Sequence, residues 1–295
     1  MSKENQNWLH DLFINEAKAA QNYHNRGGEE IPTQEKSVDV TENGTVVIEP
    51  DEGHTMSKVT ANVNVPKDGV DKIQRYLELN NNSASYLFYN FNGTSVDELL
   101  DGVDTSNVNS MTYMFQYSRQ IETVPLFDTR NVTSMNYMFN TCQKLKTIPL
   151  FNTRNVTSMN STFSSCSVLE TIHSLDIRNV TSANSMLSVC FQLKECWIRN
   201  IKIDLQVNAG KFTLESLLHL CKECRNVNSS RTLTVGTANL EKLANVYVKL
   251  IDITDEMRAE DDLIDEKYPF VQCESTDADA MTIQEYMATK MWSLA

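Results

Sequence analysis

The chain has 295 residues, of which 41% are hydrophobic and 22% are charged, which is typical of a folded protein with two ordinary domains or one elongated array. Its formal net charge of −13 argues against non-specific binding to nucleic acids or anionic membranes, because that binding needs clusters of Lys and Arg. The polar start MSKENQNWLHDLF and the odd number of cysteines predict no secretory leader and no disulfide framework, and no apolar run is long enough to cross a bilayer.

Residues 1–35 are predicted to be an anchor that consists of an amphipathic helix, at Trp8–Asn25, and a polar linker. Trp8 and Leu12 are four residues apart and share one face of such a helix, and Phe13 follows directly. Exposing these side chains to water would be costly. We therefore expect Trp8, Leu12 and Phe13 to dock on another chain.

Residues 36–66 are predicted to form a small β-module. Apolar and polar residues alternate between Val38 and Val65, with turns at Asn43-Gly44 and near Asp51–Gly53. The motifs ENG, PDEG and SKVTANVNV in this stretch resemble a module near the start of many phage tail and fibre proteins. That resemblance implies a segment that attaches the chain to a particle.

Residues 104–200 repeat with a period of 24, and this spacing predicts a stacked array, because one such unit buries too few side chains to fold alone. LKTIP, at Leu145–Pro149, alternates as a short strand would. Four apolar residues earlier in the same unit have the spacing of one face of a short helix: Met135, Met138, Phe139 and Cys142. Each unit is therefore predicted to contain a strand and a short helix.

The repeated motif, NVTSM followed by MF, C, L and IP, resembles the BspA-like family of leucine-rich repeats over roughly residues 84–200. The resemblance implies a surface or virion protein that works by contact and has no catalytic residue. The predicted fold class is α+β: a leucine-rich-repeat-like solenoid with 24-residue units, preceded by an N-terminal helix and a small β-module.

The segments on either side of the repeats are predicted to be caps. Residues 67–103 are a connector and N-terminal cap, and residues 201–295 are a C-terminal cap. The second cap has a helix at Thr213–Cys224 with Thr213 as N-cap, then a TLTVG strand and a terminal WSLA strand. These segments resemble the caps of such repeats in phage and gut-bacterial proteins. Residues 252–280 are predicted to be an acidic surface insertion; they lack the central glycine of a calcium EF-hand loop.

Several repeated side chains are predicted to be structural. The core ladder consists of Phe115, Phe139, Phe163, Cys142, Cys166 and Cys190. The sequons at Asn131, Asn155 and Asn179 predict an asparagine ladder that binds backbone, because the column continues at Asn107, which is no sequon. For Cys221 and Cys224, packing is favoured over zinc or redox chemistry, since the ligands that would complete a metal site are missing.

The candidate repeat-surface contacts are Arg130, Arg154, Arg178, Tyr113 and Tyr137. The arginine row fits an acidic partner or a glycan, and it equally fits pairing with the neighbouring Asp and Asn column. These alternatives stay open at the level of sequence.

No catalytic motif is present, so we expect no enzyme and no metal or cofactor. The expected function is a bacteriophage virion structural protein, made in the host cytoplasm, that acts as a head- or tail-associated fibre or decoration. Its N-terminal segment would bind other virion proteins, and its repeats a host-surface protein or glycan. We expect no nucleic-acid or membrane partner, and a homo-oligomer or part of a large assembly. The alternative is a bacterial surface adhesin with the same repeats, which would need an export route.

Overall fold

The computed structural model describes residues 39–40, 46–47, 73–74, 77–78, 81–207, 210–260 and 269–295. Within these residues the predicted fold class is wrong, because no leucine-rich-repeat-like solenoid and no closed repeat structure is found. The chain is a mixed α/β structure with short helices and several small sheets. None of the described helices is long and apolar enough to span a membrane. The predicted N-terminal helix lies outside the described residues.

The strands, in chain order, are β1 Asp39–Val40, β2 Val46–Val47, β3 Thr171–Asp176, β4 Glu195–Arg199, β5 Leu205–Gln206, β6 Arg231–Thr234, β7 Tyr247–Leu250, β8 Phe270–Cys273, β9 Met281–Thr282 and β10 Trp292–Leu294. The helices are α1 Asp97–Leu100, α2 Leu214–Glu223, α3 Thr237–Leu243, α4 Asp255–Glu260 and α5 Ile283–Thr289. Strands β1 and β2 pair antiparallel, and they are the part of the predicted β-module that the structure describes. Strands β3 and β4 pair in parallel, and the larger sheets have the orders β10-β6-β5 and β8-β7-β9.

Residues 81–199 fold as successive turn layers, which we call the turn stack. Isolated parallel bridges join each layer to the next, through Ser83, Ser110, Ser134, Ser158 and Ser182. The layers span residues 81–103, 104–127, 128–151, 152–175 and 176–199. The predicted helix over Met135–Cys142 is wrong, since these residues form turns. The predicted strand at Leu145–Pro149 is also wrong, because only Thr147 makes a bridge, to Thr171.

The backbone of Met135–Cys142 is not helical because Tyr137 and Thr141 have positive φ angles, of 55° and 66°. A right-handed helix needs negative φ at every residue. Alternate N–H groups here donate forward to the next layer: that of Tyr137 to the carbonyl of Asn160 (2.9 Å) and that of Phe139 to Thr162 (2.8 Å). The left-handed residues recur every four positions, so the apolar residues between them have the spacing of a helix face.

The interior of the turn stack is a set of columns in which identical side chains contact each other. Phe88, Phe115, Phe139 and Phe163 are buried, and their rings stack with centroids 5.3, 5.4 and 5.7 Å apart. Burying one such side chain stabilises the fold by roughly 1.5–3 kcal/mol. Stacked rings add about 0.5–1.5 kcal/mol per pair. This column offsets part of the cost of the left-handed residues.

The neighbouring column requires a small side chain that donates a hydrogen bond. The thiols of Cys142, Cys166 and Cys190 donate to the carbonyls of Phe115, Phe139 and Phe163, at 3.2, 3.1 and 3.1 Å. In the layer before Cys142, the hydroxyl of Ser118 makes the same bond, to Phe88 (2.7 Å). This shared role explains why serine and cysteine occupy one column.

The C-terminal part follows the predicted order of elements. Helix α2 begins after Thr213, whose side chain accepts the N–H of Ser216, so the predicted N-cap is confirmed. The predicted TLTVG strand and the terminal strand are β6 and β10, which pair in parallel. Helix α5 begins with a capping box between Thr282 and Glu285. The buried Lys290 donates to the carbonyl of Cys224, at the end of α2, and so ties the C-terminal segment to that helix.

The predicted acidic surface insertion is wrong for one of its segments. Residues 270–273 form strand β8, which pairs with β7, and Phe270 is buried. The ring of Phe270 lies edge-on to that of Tyr286, with centroids 4.6 Å apart. This part of the segment therefore belongs to the C-terminal core, whereas α4 at Asp255–Glu260 is largely exposed.

We predict that Cys142→Ser is tolerated better than Cys142→Ala. Both variants remove similar volume, but serine keeps the donor to the Phe115 carbonyl, as Ser118 does one layer earlier. The alanine variant should be less stable than the serine variant by about 1 kcal/mol, the net contribution of one hydrogen bond. Urea unfolding of both variants measures the difference. Equal stabilities would contradict a hydrogen-bonding role for this column.

Candidate binding surface

The arginine row is paired with acidic residues of the same chain. Arg130 contacts Asp128 at 2.6 Å, and Arg178 contacts Asp176 at 2.7 Å. Arg154 lies 3.8 Å from Asp176, one layer away. The side chains of Arg130 and Arg154 are 66% and 63% exposed, whereas that of Arg178 is 15% exposed. The row therefore pairs with the aspartate column, and its first two members still reach solvent.

These ion pairs affect the acidic side chains according to burial. Hydrogen bonds from Arg130 hold the pKa of the half-buried Asp128 below its ordinary value. Burial alone would raise the pKa of Asp176, but hydrogen bonds from Arg178 and Asn200 outweigh it and lower that pKa. The Asn200 amide donates to Asp176 at 2.8 Å. Asp176 is thus a buried carboxylate that neighbouring donors keep ionised.

The predicted asparagine ladder is confirmed. The side-chain amides of Asn131, Asn155 and Asn179 donate to the carbonyls of Ser106, Arg130 and Arg154, each at 2.7 Å. Each bond joins one layer to the layer before it. The three sequons are therefore part of the scaffold, and their amide nitrogens are already engaged.

A second row of aromatic side chains lies on another side of the turn stack. Tyr86, Tyr113 and Tyr137 stack on one another, with ring centroids 4.6 and 5.0 Å apart. Tyr113 and Tyr137 are the predicted contact residues, and both are half-buried. Tyr86 was not among the predicted contact residues. It lies 27 residues before Tyr113, so the 24-residue period does not connect the two, and a spacing of 27 for the first layer would have found it.

Polar side chains beside the tyrosines form a connected network. The side-chain oxygen of Asn136 accepts hydrogen bonds from the hydroxyl of Ser158 (2.7 Å) and from the backbone N–H of Asn160 (2.8 Å). The side-chain oxygen of Asn160 accepts hydrogen bonds from the hydroxyl of Ser182 (2.7 Å) and from the backbone N–H of Asn184 (2.9 Å), one layer further on. These bonds fix the amides in place. Asn136 is thus a half-buried member of the scaffold, and so is Asn140, whose side-chain amide donates to the carbonyl of Ser164 in the next layer (3.3 Å).

The cysteines of the turn stack and of helix α2 are buried free thiols. Cys142, Cys166 and Cys190 are buried, as are Cys221 and Cys224. Burial raises the pKa of the Cys190 and Cys221 thiols to about 12, so these groups are protonated and poor nucleophiles at neutral pH. Among the described residues, no group of three or more His, Cys, Asp or Glu side chains is arranged to hold a metal ion.

The predicted anchor residues Trp8, Leu12 and Phe13 lie outside the described residues. In the described part of the chain, large apolar side chains that reach solvent include Leu126 (68% exposed), Leu150 (63%) and Phe191 (54%). Leu126 and Leu150 occupy equivalent positions in adjacent layers of the turn stack, 24 residues apart, and Phe191 lies two layers further on.

A family described as "Mycoplasma protein of unknown function, DUF285" matches residues 82–199. This stretch is the turn stack. No curated protein and no solved structure matches the chain. The similarity therefore supports the limits of the repeated region and leaves function to be argued from the surface itself.

We predict that Asp176→Asn lowers stability at neutral pH and that this difference disappears in acid. The pKa of Asp176 is lower in the folded chain than in the unfolded chain, where it is about 3.9. Its stabilising contribution is therefore present above that value and is lost as the pH falls through the folded pKa. At pH 7 the variant should lose about 1–3 kcal/mol, as for a hydrogen bond to a charged group.

Asp128→Asn is the matched control, because it removes the equivalent carboxylate in an exposed ion pair. Ion pairs that reach solvent contribute little to stability, so Asp128→Asn should lose less than Asp176→Asn. Urea unfolding of both variants between pH 7 and pH 2.5 measures these differences. A loss for Asp176→Asn that stays constant over this range would contradict the assignment.

Proposed function

We propose that this chain is a non-enzymatic structural protein of a bacteriophage particle and that the turn stack is its binding surface. The observation that carries the binding role is the tyrosine row. Tyr86, Tyr113 and Tyr137 are stacked at regular intervals beside a fixed network of asparagine and serine side chains. Tyrosine gives a large contact area for little conformational entropy, which is why it is common at recognition surfaces.

Rigidity supports the same role. The layer-to-layer hydrogen bonds hold each exposed side chain relative to its equivalents in adjacent layers. A surface that is ordered before binding loses less entropy on association than a flexible one. The side chains beside the tyrosines therefore suit recognition of a partner by contact.

The location on a particle rests on the sequence. Residues 38–65 resemble a module of phage tail and fibre proteins, and the N-terminal segment carries the apolar residues Trp8, Leu12 and Phe13. In this proposal the N-terminal segment binds other virion proteins, and the turn stack faces outward, toward a host-surface molecule.

We predict that the full chain is present in purified particles of the phage that encodes it and that deleting residues 1–65 abolishes its incorporation. The reason is that the deletion removes the proposed anchor and leaves the turn stack intact. Quantitative mass spectrometry of purified particles measures incorporation.

Circular dichroism and thermal unfolding of the shortened chain are the control, and they should match the folded signal of the full chain. Normal incorporation of a folded, shortened chain would contradict the anchor assignment. Absence of the full chain from particles would overturn the virion role. Export of the intact chain by cells that carry no phage would favour a surface adhesin.

A further inference from the structure

The tyrosine row ends abruptly within the turn stack. Tyr86, Tyr113 and Tyr137 occupy the same place in three successive layers, and the next two layers have Ser161 and Ser185 there. All five residues have positive φ angles, between 50° and 62°, so the backbone presents this position alike in each layer. The two serines therefore leave a step in the surface beside Tyr137.

If the tyrosine row continued, the next aromatic ring would lie in the layer of Ser161. Within the row, successive rings lie 4.6 and 5.0 Å apart. Tyr113 covers one face of Tyr137, and among the described residues no aromatic ring stacks on its other face. Ser161 therefore gives this face of Tyr137 no ring partner in the layer that follows.

The floor and rim of the step carry neutral hydrogen-bonding groups. Ser161 is half-buried, and Asn184 and Ser185 are exposed. The carbonyl of the Asn160 side chain accepts the N–H of Asn184, which fixes that part of the rim. Asn and Ser side chains both donate and accept, so they match the hydroxyls of a ligand.

The surroundings are uncharged. The segments 131–143, 155–169 and 179–193, which supply the step and its flanks, contain no Asp, Glu, Lys or Arg. A cation stacked on tyrosine would find no carboxylate in these segments, and an anion would find no basic partner. This chemistry favours a neutral ligand with an apolar face and several hydroxyls.

We propose that the step beside Tyr137 binds a neutral pyranose sugar of a glycan. The C–H face of the sugar stacks on the outer face of Tyr137, and its hydroxyls bind Ser161, Asn184 and Ser185. This assignment deepens the proposed function, since it names the ligand class for the same surface. It differs from an arginine-row site, because Arg130 and Arg178 are already paired with aspartates.

The decisive variant is Ser161→Tyr, which adds the missing ring and fills the step. Tyr113 and Tyr137 hold φ angles of 60° and 55° at this position, close to the 50° of Ser161. The substitution should therefore fold normally while it blocks the sugar. Tyr137→Phe keeps the stacking face, and Tyr137→Ser removes it. Leu126→Ser is the matched control, because it removes a large exposed side chain of the turn stack two layers before that of Ser161, outside the tyrosine row.

The probes are the methyl glycosides of glucose, galactose, mannose and N-acetylglucosamine, together with an array of neutral oligosaccharides that end in these sugars. Saturation-transfer NMR and array binding use the full chain and its four variants. We expect at least one probe to bind the wild type, Tyr137→Phe and Leu126→Ser alike. Ser161→Tyr and Tyr137→Ser should weaken that binding by roughly tenfold or more, the loss of one stacked ring with its hydrogen bonds.

Failure of the wild type to bind any of these probes would overturn the proposal. So would binding that Ser161→Tyr and Tyr137→Ser leave unchanged, provided that circular dichroism shows both variants folded. If only a protein partner binds, the same variants show whether it uses the step, and the sugar assignment is wrong. Particle incorporation of Ser161→Tyr is measured separately, so that a negative sugar result is distinguishable from failure of the virion role.

Discussion

The hydrogen bond from every second N–H group to a carbonyl of the next layer is the constraint on which the turn stack depends. In residues 111–117, these bonds come from Met111, Tyr113, Phe115 and Tyr117, at 2.8–3.0 Å. The intervening N–H groups close tight turns within their own layer, as that of Met114 does to Met111. Every backbone donor of the segment is thus used without a regular helix or strand, as burial of polar groups demands.

This arrangement explains which side chains each position accepts. Left-handed backbone at Tyr137 and Thr141 costs free energy, which the interlayer bonds and the stacked phenylalanines offset. Buried places next to a carbonyl take cysteine or serine, because both are small donors. The half-buried position of Tyr137 holds serine at Ser161 in the next layer, with a similar backbone φ. The surface can therefore differ between layers while the scaffold stays the same.

Much of the organisation is predictable from sequence, and its local geometry is not. The 24-residue period identifies the columns, the asparagine ladder and the buried phenylalanines, because each depends only on which residues recur. The fold class failed because Met135, Met138 and Phe139 have helical spacing in a backbone that turns every four residues. No glycine marks Tyr137 or Thr141 as left-handed, so the usual signal for positive φ is missing. The step beside Tyr137 needed the structure, since only stacking distances reveal a vacant ring position.

The interlayer bonds of the turn segments, such as residues 111–117, share one direction, and this has an electrostatic consequence. The peptide groups between Thr112 and Tyr113, and between Met114 and Phe115, each accept from the layer before and donate to the layer after. Their dipoles, each of about 3.5 D, therefore add along the stack as they do in a helix. In sheets, strand dipoles largely cancel. These turn segments consequently have a positive end toward the last layer and a negative end toward the first, whereas the N–H groups of Thr133, Thr157 and Thr181 donate in the opposite direction.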